Sequence, residues 1–274
     1  MNSTTLSSSA SASSDGDMLR IERDAYGLPG AVCVTLSRPE AFNALSEALL
    51  ERLQATLADI ARTEARVAVI AADGRAFCAG HDLKEMRTSP SLEYYQALFA
   101  RCSALMMTIQ RMPQPVIARV QGMATAAGCQ LVAMCDLAVA ADTARFAVSG
   151  INFGLFCATP AVPLSRNISR KAALEMLLTG EFIDAAKARE LGLINRMVPA
   201  DALDAEVHSL AASICAKPAS AVRAGKTLFY RQLEMGIEAA YQLAGQTIAC
   251  NAMDEAAQEG MQAFVDKRAP NWRA

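Results

Sequence analysis

The feature that most constrains this chain is an alternation of short β-rich runs with helical stretches through its first half, followed by a last third that is almost entirely helical. The β-rich runs are Leu19–Ile21, Ala31–Leu36, Arg66–Ala71, Pro115–Val120 and Leu137–Ala140. Between the second and third, Leu49, Leu50, Leu53, Leu57 and Ile60 recur at helical spacing, leaving Glu51, Arg52 and Asp59 for the solvent side. A second helix spans about Tyr94–Arg111 and stops before Pro113, which removes a donor and restricts the residue before it. A third, Ala126–Met134, leads directly into the strand at Leu137. Repeated strand–helix–strand units of this kind bury a mostly parallel sheet under helices, so the fold class is α/β.

After about residue 160 strand signals fade. Helices are expected at Arg170–Leu178, Asp184–Leu191, Ala200–Ala216, Ser220–Glu234, Ile237–Cys250 and Asp254–Lys267. Asp184 and Ser220 suit helix starts, and Gly180 and Gly192 suit helix ends. The 274 residues, 53% hydrophobic, suffice for one sizeable core and a smaller helical lobe. The chain therefore divides into a Ser/Ala-rich tail at 1–17, read as disordered, an α/β core at 18–200 and a helical region at 201–274.

The formal net charge of −2 and the lack of any long basic run argue against nucleic acid or an anionic membrane as partner. No apolar run reaches the roughly 20 residues of a membrane-spanning helix. The eight cysteines form no C-x-x-C pair or zinc spacing and sit mostly in apolar runs, as reduced core residues do. The tail fits neither a secretory signal nor a transit peptide, which makes the cytoplasm the expected compartment.

Two glycine-containing turns each join a strand to a helix: Gly74 to Leu83, and Gly122 to Gln130. The first N–H groups of a helix lack internal partners and lie at its positive end, so small residues there let a ligand oxygen reach the backbone. Two such ends together make an oxyanion hole. Spacing alone leaves the alternative that both are simply tight turns in a twisted sheet. Gly225-Lys226-Thr227 is not a phosphate loop, because position 220 is Ser and the stretch lies in an expected helix. Dinucleotide-binding, nucleophile-elbow and H-E-x-x-H motifs do not occur in the sequence.

Three segments, Ser37 to Leu45, Ala76 to Lys84 and Val120 to Leu131, resemble in content, order and separation the three signature segments of the enoyl-CoA hydratase and isomerase (crotonase) family. Later stretches, Phe146 to Gly154, Leu178 to Glu181, Ala188 to Ile194 with Val198-Pro199, and Phe264 to Pro270, are similar to the family's later landmarks. Gly80-His81-Asp82, Ala124 to Leu131 and Gly154 to Pro160 most resemble its enoyl-CoA hydratase domain-containing protein 3 subgroup. The resemblance implies a crotonase-like spiral of βαβ-type turns with two roughly perpendicular sheets. It further implies a helical C-terminal trimerisation region and assembly as a homotrimer or dimer of trimers.

By the same resemblance, the backbone N–H groups of His81 and Ala127 hold the oxygen of an acyl-CoA thioester as it becomes an enolate. Coenzyme A then enters as part of the substrate, with no permanently bound cofactor and no metal. Lys84, Lys267 and Arg268 are the candidate cations for CoA. Asn152, Cys157 and Thr159 fall where relatives face the acyl chain, with core or capping roles as the alternative. The His81 side chain is either an acid–base group or a locally bonded loop histidine, and Asp82 is expected to fix its turn.

One departure bears directly on activity. Hydratases of the family use two glutamates to activate water, and the matching positions here are Gln130 and Gly150. Neither exchanges a proton at neutral pH, and a missing general base removes about 10²- to 10⁴-fold in rate. The functional expectation is a lyase-type acyl-CoA enzyme of fatty-acid metabolism. The alternatives are a non-catalytic acyl-CoA-binding member or a different enolate reaction, such as decarboxylation or thioester hydrolysis.

Overall fold

The computed structural model describes residues 18–272. The Ser/Ala-rich tail at 1–17 lies outside the described residues. Among the described residues, ten strands form two sheets. The larger has six strands in the order β1 (Leu19–Arg23), β2 (Ala31–Leu36), β3 (Val67–Ala72), β5 (Val116–Val120), β7 (Leu137–Ala141) and β10 (Arg196–Val198). All its neighbours are parallel except β1 and β2. The smaller is β4 (Ala76–Cys78), β6 (Met123–Thr125), β8 (Arg145–Ala147) and β9 (Ile183–Asp184), parallel except for β9.

The order of the strands makes the chain a spiral. Each of three successive turns gives a long strand to the first sheet, then a short strand to the second: β3 then β4, β5 then β6, β7 then β8. β2 and β3 are buried at every position, as strands covered on both faces must be. One face of the large sheet is covered by α1 (Glu47–Ala61) and, after the single turn α2 (Leu83–Met86), by α3 (Leu92–Arg111), which packs on α1. Leu49, Leu50, Leu53 and Leu57 are fully buried, each contributing about 1.5–3 kcal/mol. The Ser46 hydroxyl caps α1 by accepting the Leu49 N–H at 3.2 Å.

The later helices are α4 (Ala127–Met134), α5 (Ala158–Asn167), α6 (Arg170–Thr179), α7 (Ala185–Leu191) and α8 (Leu203–Cys215). Beyond them come α9 (Ala219–Gln232), α10 (Ile237–Ala252) and α11 (Glu255–Val265). α8 covers the other face of the large sheet, placing Leu203, Val207, Leu210 and Ala211 against Ala31, Cys33, Val69, Ile117 and Val139. α9 is anchored by one buried side chain. The Lys226 ammonium donates to the Ile109 carbonyl at 2.9 Å, the Gln114 carbonyl at 2.8 Å and Asp136 Oδ2 at 2.7 Å. The Tyr230 hydroxyl donates to the other oxygen of Asp136 at 2.8 Å. The Lys226 stretch excluded above as a phosphate loop is thus a structural anchor.

Several sequence expectations need correction. The second sheet was expected from the resemblance, but its strands were not placed, and β4 and β6 fall inside the two glycine-containing turns, because strands of two or three residues show no periodicity of their own. α5 was not among the helices expected from the sequence. Pro160 falls in its first turn, where a proline costs little. The helix expected from Tyr94 begins at Leu92, capped by Ser91, and the one expected from Ala200 begins at Leu203 after a 3-10 turn at Ala200–Ala202. No helix among the described residues is long and apolar enough to cross a membrane.

Candidate active site

The first signature segment is scaffolding for the second. Asn43, fully buried, donates from Nδ2 to the carbonyls of Asp73 and Ala76, both at 2.9 Å, and accepts the Arg38 N–H at 2.9 Å. This fixes the chain where it enters β4. Leu45 then forms a parallel bridge with His81: its N–H donates to the Gly80 carbonyl at 2.7 Å, and its carbonyl accepts the Asp82 N–H at 3.3 Å. Asp82 caps α2, accepting the N–H groups of Lys84 at 3.1 Å and Glu85 at 3.3 Å, and pairs with Arg38 at 3.8 Å. These bonds use the backbone groups flanking His81. Among the described residues its own N–H has no backbone acceptor.

The third segment supplies a second free N–H. After β6, Ala126 turns the chain with φ 50° and ψ −121°, a region costly for any residue with a side chain. Its N–H donates to the Ala147 carbonyl at 3.0 Å, and its carbonyl accepts from Gln130 at 3.0 Å. Ala127 is thereby the first residue of α4, where the helix has no acceptor for its N–H. Two glycines bring the turns together. A methyl group on Gly128 would sit 2.1 Å from the Cys78 carbonyl oxygen, so α4 starts hard against β4. One on Gly80, whose φ is +93°, would sit 3.2 Å from the Ala127 nitrogen. The stacked turns of the spiral therefore set the His81 and Ala127 peptides side by side.

Beside them lies a cavity of about 210 Å³. Ala126, Ala127 and His81 line it, with Leu83, Met86 and Phe99 on one side and residues of the segment 149–160 on the other. The wall is apolar apart from His81, Ser149, Cys157 and Thr159. Ser149 Oγ lies 2.7 Å from Thr125 Oγ1. The His81 ring stands edge-on to Phe99, centroids 5.5 Å apart, and among the described residues neither of its shielded nitrogens lies within hydrogen-bonding geometry of a partner, the Leu45 backbone being the polar group that acts on it. Burial pushes its imidazole below the ordinary histidine range.

Gln130 and Gly150, which the resemblance matches to the family's glutamates, offer no carboxylate. Gln130 is buried one turn into α4 and is not among the residues lining the cavity. Gly150 lines it, yet a β-carbon there would lie 2.6 Å from the Leu155 carbonyl oxygen and 2.7 Å from Cys157 Sγ. That sulfur accepts the Gly150 N–H at 3.2 Å. Burial raises the Cys157 thiol and pushes Cys129 up to about 12, so neither is a poised nucleophile.

Of the other residues singled out from sequence, Thr159 and Cys157 line the cavity, whereas Asn152 is tied by its Nδ2 to the Gly180 carbonyl at 3.4 Å. Lys84 is exposed on α2, three residues beyond His81. Lys267 and Arg268 follow α11, which sends no residue into the cavity wall. Arg268 pairs with Glu259 at 2.7 Å and with Asp266 at 3.4 Å. Sequence reasoning missed Met86, Phe99, Leu155 and Phe156. Only their apolar character marked them, and the core shares it.

A sequence model of the enoyl-CoA hydratase/isomerase family matches residues 29–274. This chain belongs to the enoyl-CoA hydratase/isomerase family. Mouse enoyl-CoA hydratase domain-containing protein 3, mitochondrial, is 46% identical over 240 residues, which cover 87% of this chain and 80% of the mouse protein. The crystal structure of a Mycobacterium smegmatis enoyl-CoA hydratase is 60% identical, with a TM-score of 0.91 over 94% of this chain and 99% of that one. The human domain-containing protein 3 structure is 42% identical, with a TM-score of 0.89 over 93% and 100% of the two chains. The family's crotonase fold, two sheets with C-terminal helices, is the fold found here.

The expected cytoplasmic compartment does not stand, since the mouse relative carries "mitochondrial" in its name. The expectation rested on the composition of residues 1–17 and on the lack of an apolar span, and neither observation reports a compartment.

Proposed function

We propose that the cavity takes the acyl end of an acyl-CoA thioester and that the peptide N–H groups of His81 and Ala127 stabilise negative charge on its carbonyl oxygen. The observation that carries this reading is the pair of adjacent N–H groups without acceptors, held by Gly80 and Gly128 at the wall of an apolar cavity. Fixed dipoles in a site shielded from water stabilise such an oxyanion without reorganisation, and one such donor is typically worth about 10²- to 10³-fold in rate.

Water addition assisted by two carboxylates is disfavoured. Gln130 has no group that ionises near neutral pH, and the backbone at Gly150 leaves no room for a side chain. The reaction is then an enolate step that needs no carboxylate pair. The same vacancy favours one second reading, an acyl-CoA-binding member without turnover.

Lys84, close to the first N–H donor in the chain, is the candidate within one subunit for the CoA phosphates. Lys267, and Arg268 if it exchanges its carboxylate partners for phosphate, would serve a neighbouring subunit. The exposed Phe229, Ile237, Tyr241, Ile248 and Phe264 on α9–α11 support assembly through 201–274 as a trimer or dimer of trimers.

Calorimetry with enoyl-, malonyl-type and saturated acyl-CoAs, run beside mass spectrometry of the products, tests the reading. Saturable binding with conversion of any of them supports an enzyme. Binding without conversion supports the second reading, and no binding contradicts both.

A further inference from the structure

Three residues of the cavity wall are large, apolar and open to solvent: Phe153 is 68% exposed, Leu155 51% and Phe156 47%. They stand in a turn closed on itself. The Leu155 N–H donates to the Gly150 carbonyl and the Gly154 N–H to the Ile151 carbonyl, both at 3.0 Å, with Gly154 left-handed at φ +79°. Cys157 and Pro160, which continue the same wall, are buried. An apolar surface therefore leads from the buried part of the cavity to the outside. Large apolar side chains exposed side by side mark a place where an apolar ligand lies.

Charge decides which end of an acyl-CoA this edge suits. Between Arg145 and Arg166 the sequence contains no Asp, Glu, Lys, Arg or His, so the edge offers CoA phosphates no cation. Lys84 instead follows Leu83 on the opposite wall. Volume bears on length. A cavity of about 150 Å³ holds benzene, which allots roughly 25 Å³ to each non-hydrogen atom. On that scale the 210 Å³ of this cavity takes about eight such atoms, of which the thioester group itself uses three. The tail of a longer chain has to emerge.

We propose that the site takes thioesters of uncharged acyl chains of about eight carbons or more, whose far end leaves the cavity across Phe153, Leu155 and Phe156. This rests on the proposed binding of acyl-CoA in the cavity, and it holds whichever enolate step follows. The same wall disfavours a charged acyl group. Among the described residues, no carboxylate, ammonium or guanidinium lines the cavity, and burial moves the His81 imidazole toward its neutral form. A malonyl-type carboxylate would lose its water there with no cation in return.

Calorimetry of the full-length protein with butyryl-, hexanoyl-, octanoyl-, decanoyl- and malonyl-CoA tests this. Full burial of a methylene is worth about fourfold in affinity, and half burial on the exposed edge about twofold. Decanoyl-CoA should therefore bind at least about 30-fold more tightly than butyryl-CoA, and malonyl-CoA at least about tenfold more weakly than butyryl-CoA. In Phe153→Ser combined with Phe156→Ser, the ratio of decanoyl to butyryl affinity should fall by about tenfold, with circular dichroism checking the fold.

An affinity independent of chain length, or malonyl-CoA bound as tightly as butyryl-CoA, overturns the inference and leaves acyl-CoA binding standing. An unchanged decanoyl-to-butyryl ratio in the folded double variant also overturns it. Such a result with a fall in assembly mass by light scattering would make the turn a contact between subunits. Should the double variant fail to fold, Leu155→Ser and the chain-length series of the parent decide. Absence of binding by all five thioesters overturns the reading beneath.

Discussion

Gly80 faces the peptide nitrogen of Ala127: a β-carbon on the glycine would come within 3.2 Å of that nitrogen and 2.9 Å of the Ala126 β-carbon. The two residues lie on successive turns of the spiral, and their separation sets the distance between the two proposed oxyanion donors. No other residue type combines a φ of +93° with that approach at so little cost.

Gly80→Val should therefore harm function more than folding. The added carbons push α4 away from β4 or crowd the nitrogen they face. We expect turnover of any active acyl-CoA to fall by about 10²-fold or more. Circular dichroism and the melting temperature check that the fold survives.

Gly150→Glu should not create a hydratase. The Leu155 carbonyl and Cys157 Sγ occupy the space its β-carbon needs, and overpacking of this kind costs about 1–3 kcal/mol. The expected result is a lower denaturation midpoint with no gain in hydration of crotonyl-CoA, followed by loss of enoyl absorbance. A stable variant with raised hydration would show that the segment 149–159 yields easily.

Much of this site was legible in the sequence, because the residues that build it are defined by backbone needs. Gly80, Gly128 and Asn43 stand in motifs, and each has one local task that few residue types perform. The apolar wall was not legible, since Phe99 and Met86 follow the same helical spacing as core residues and only the tertiary fold separates lining from core. The second sheet was expected only from the resemblance, and its strands were not located for a related reason. Its strands are two or three residues long and are specified by pairing between turns distant in sequence, not by alternation within a run.

Lys226→Ala should unfold the protein at lower denaturant without affecting the cavity directly. It leaves Asp136 with a buried charge and no cation, and breaking a buried pair typically costs about 3–5 kcal/mol. Lys226→Met paired with Asp136→Asn should recover part of that loss. A Lys226→Ala variant with parental stability would mean that α9 is held by its apolar contacts alone.

Acid should weaken the attachment of α8. Arg119 binds Asp204 at 2.6 and 2.9 Å, and the hydrogen bond from that guanidinium holds the carboxyl below the usual aspartate range. A depressed carboxyl contributes stability above its unfolded value of about 3.9 and loses it as pH falls through the folded value. Since Asp204 is largely exposed, Asp204→Asn should cost only about 0.2–1 kcal/mol at pH 7. Chemical denaturation of the two proteins should converge as pH falls below about 3.9.

The most direct test of the central claim is the infrared band of a ¹³C-labelled thioester carbonyl in butyryl-CoA, compared free, bound to the parent and bound to Ala127→Pro. Proline removes the N–H at the first helical position, where the helix itself tolerates it. The account predicts a shift of the carbonyl to lower frequency on binding the parent, and a smaller shift in the folded variant that still binds. A bound carbonyl at its free frequency in the parent, or an equal shift in both proteins, would contradict an oxyanion hole at His81 and Ala127.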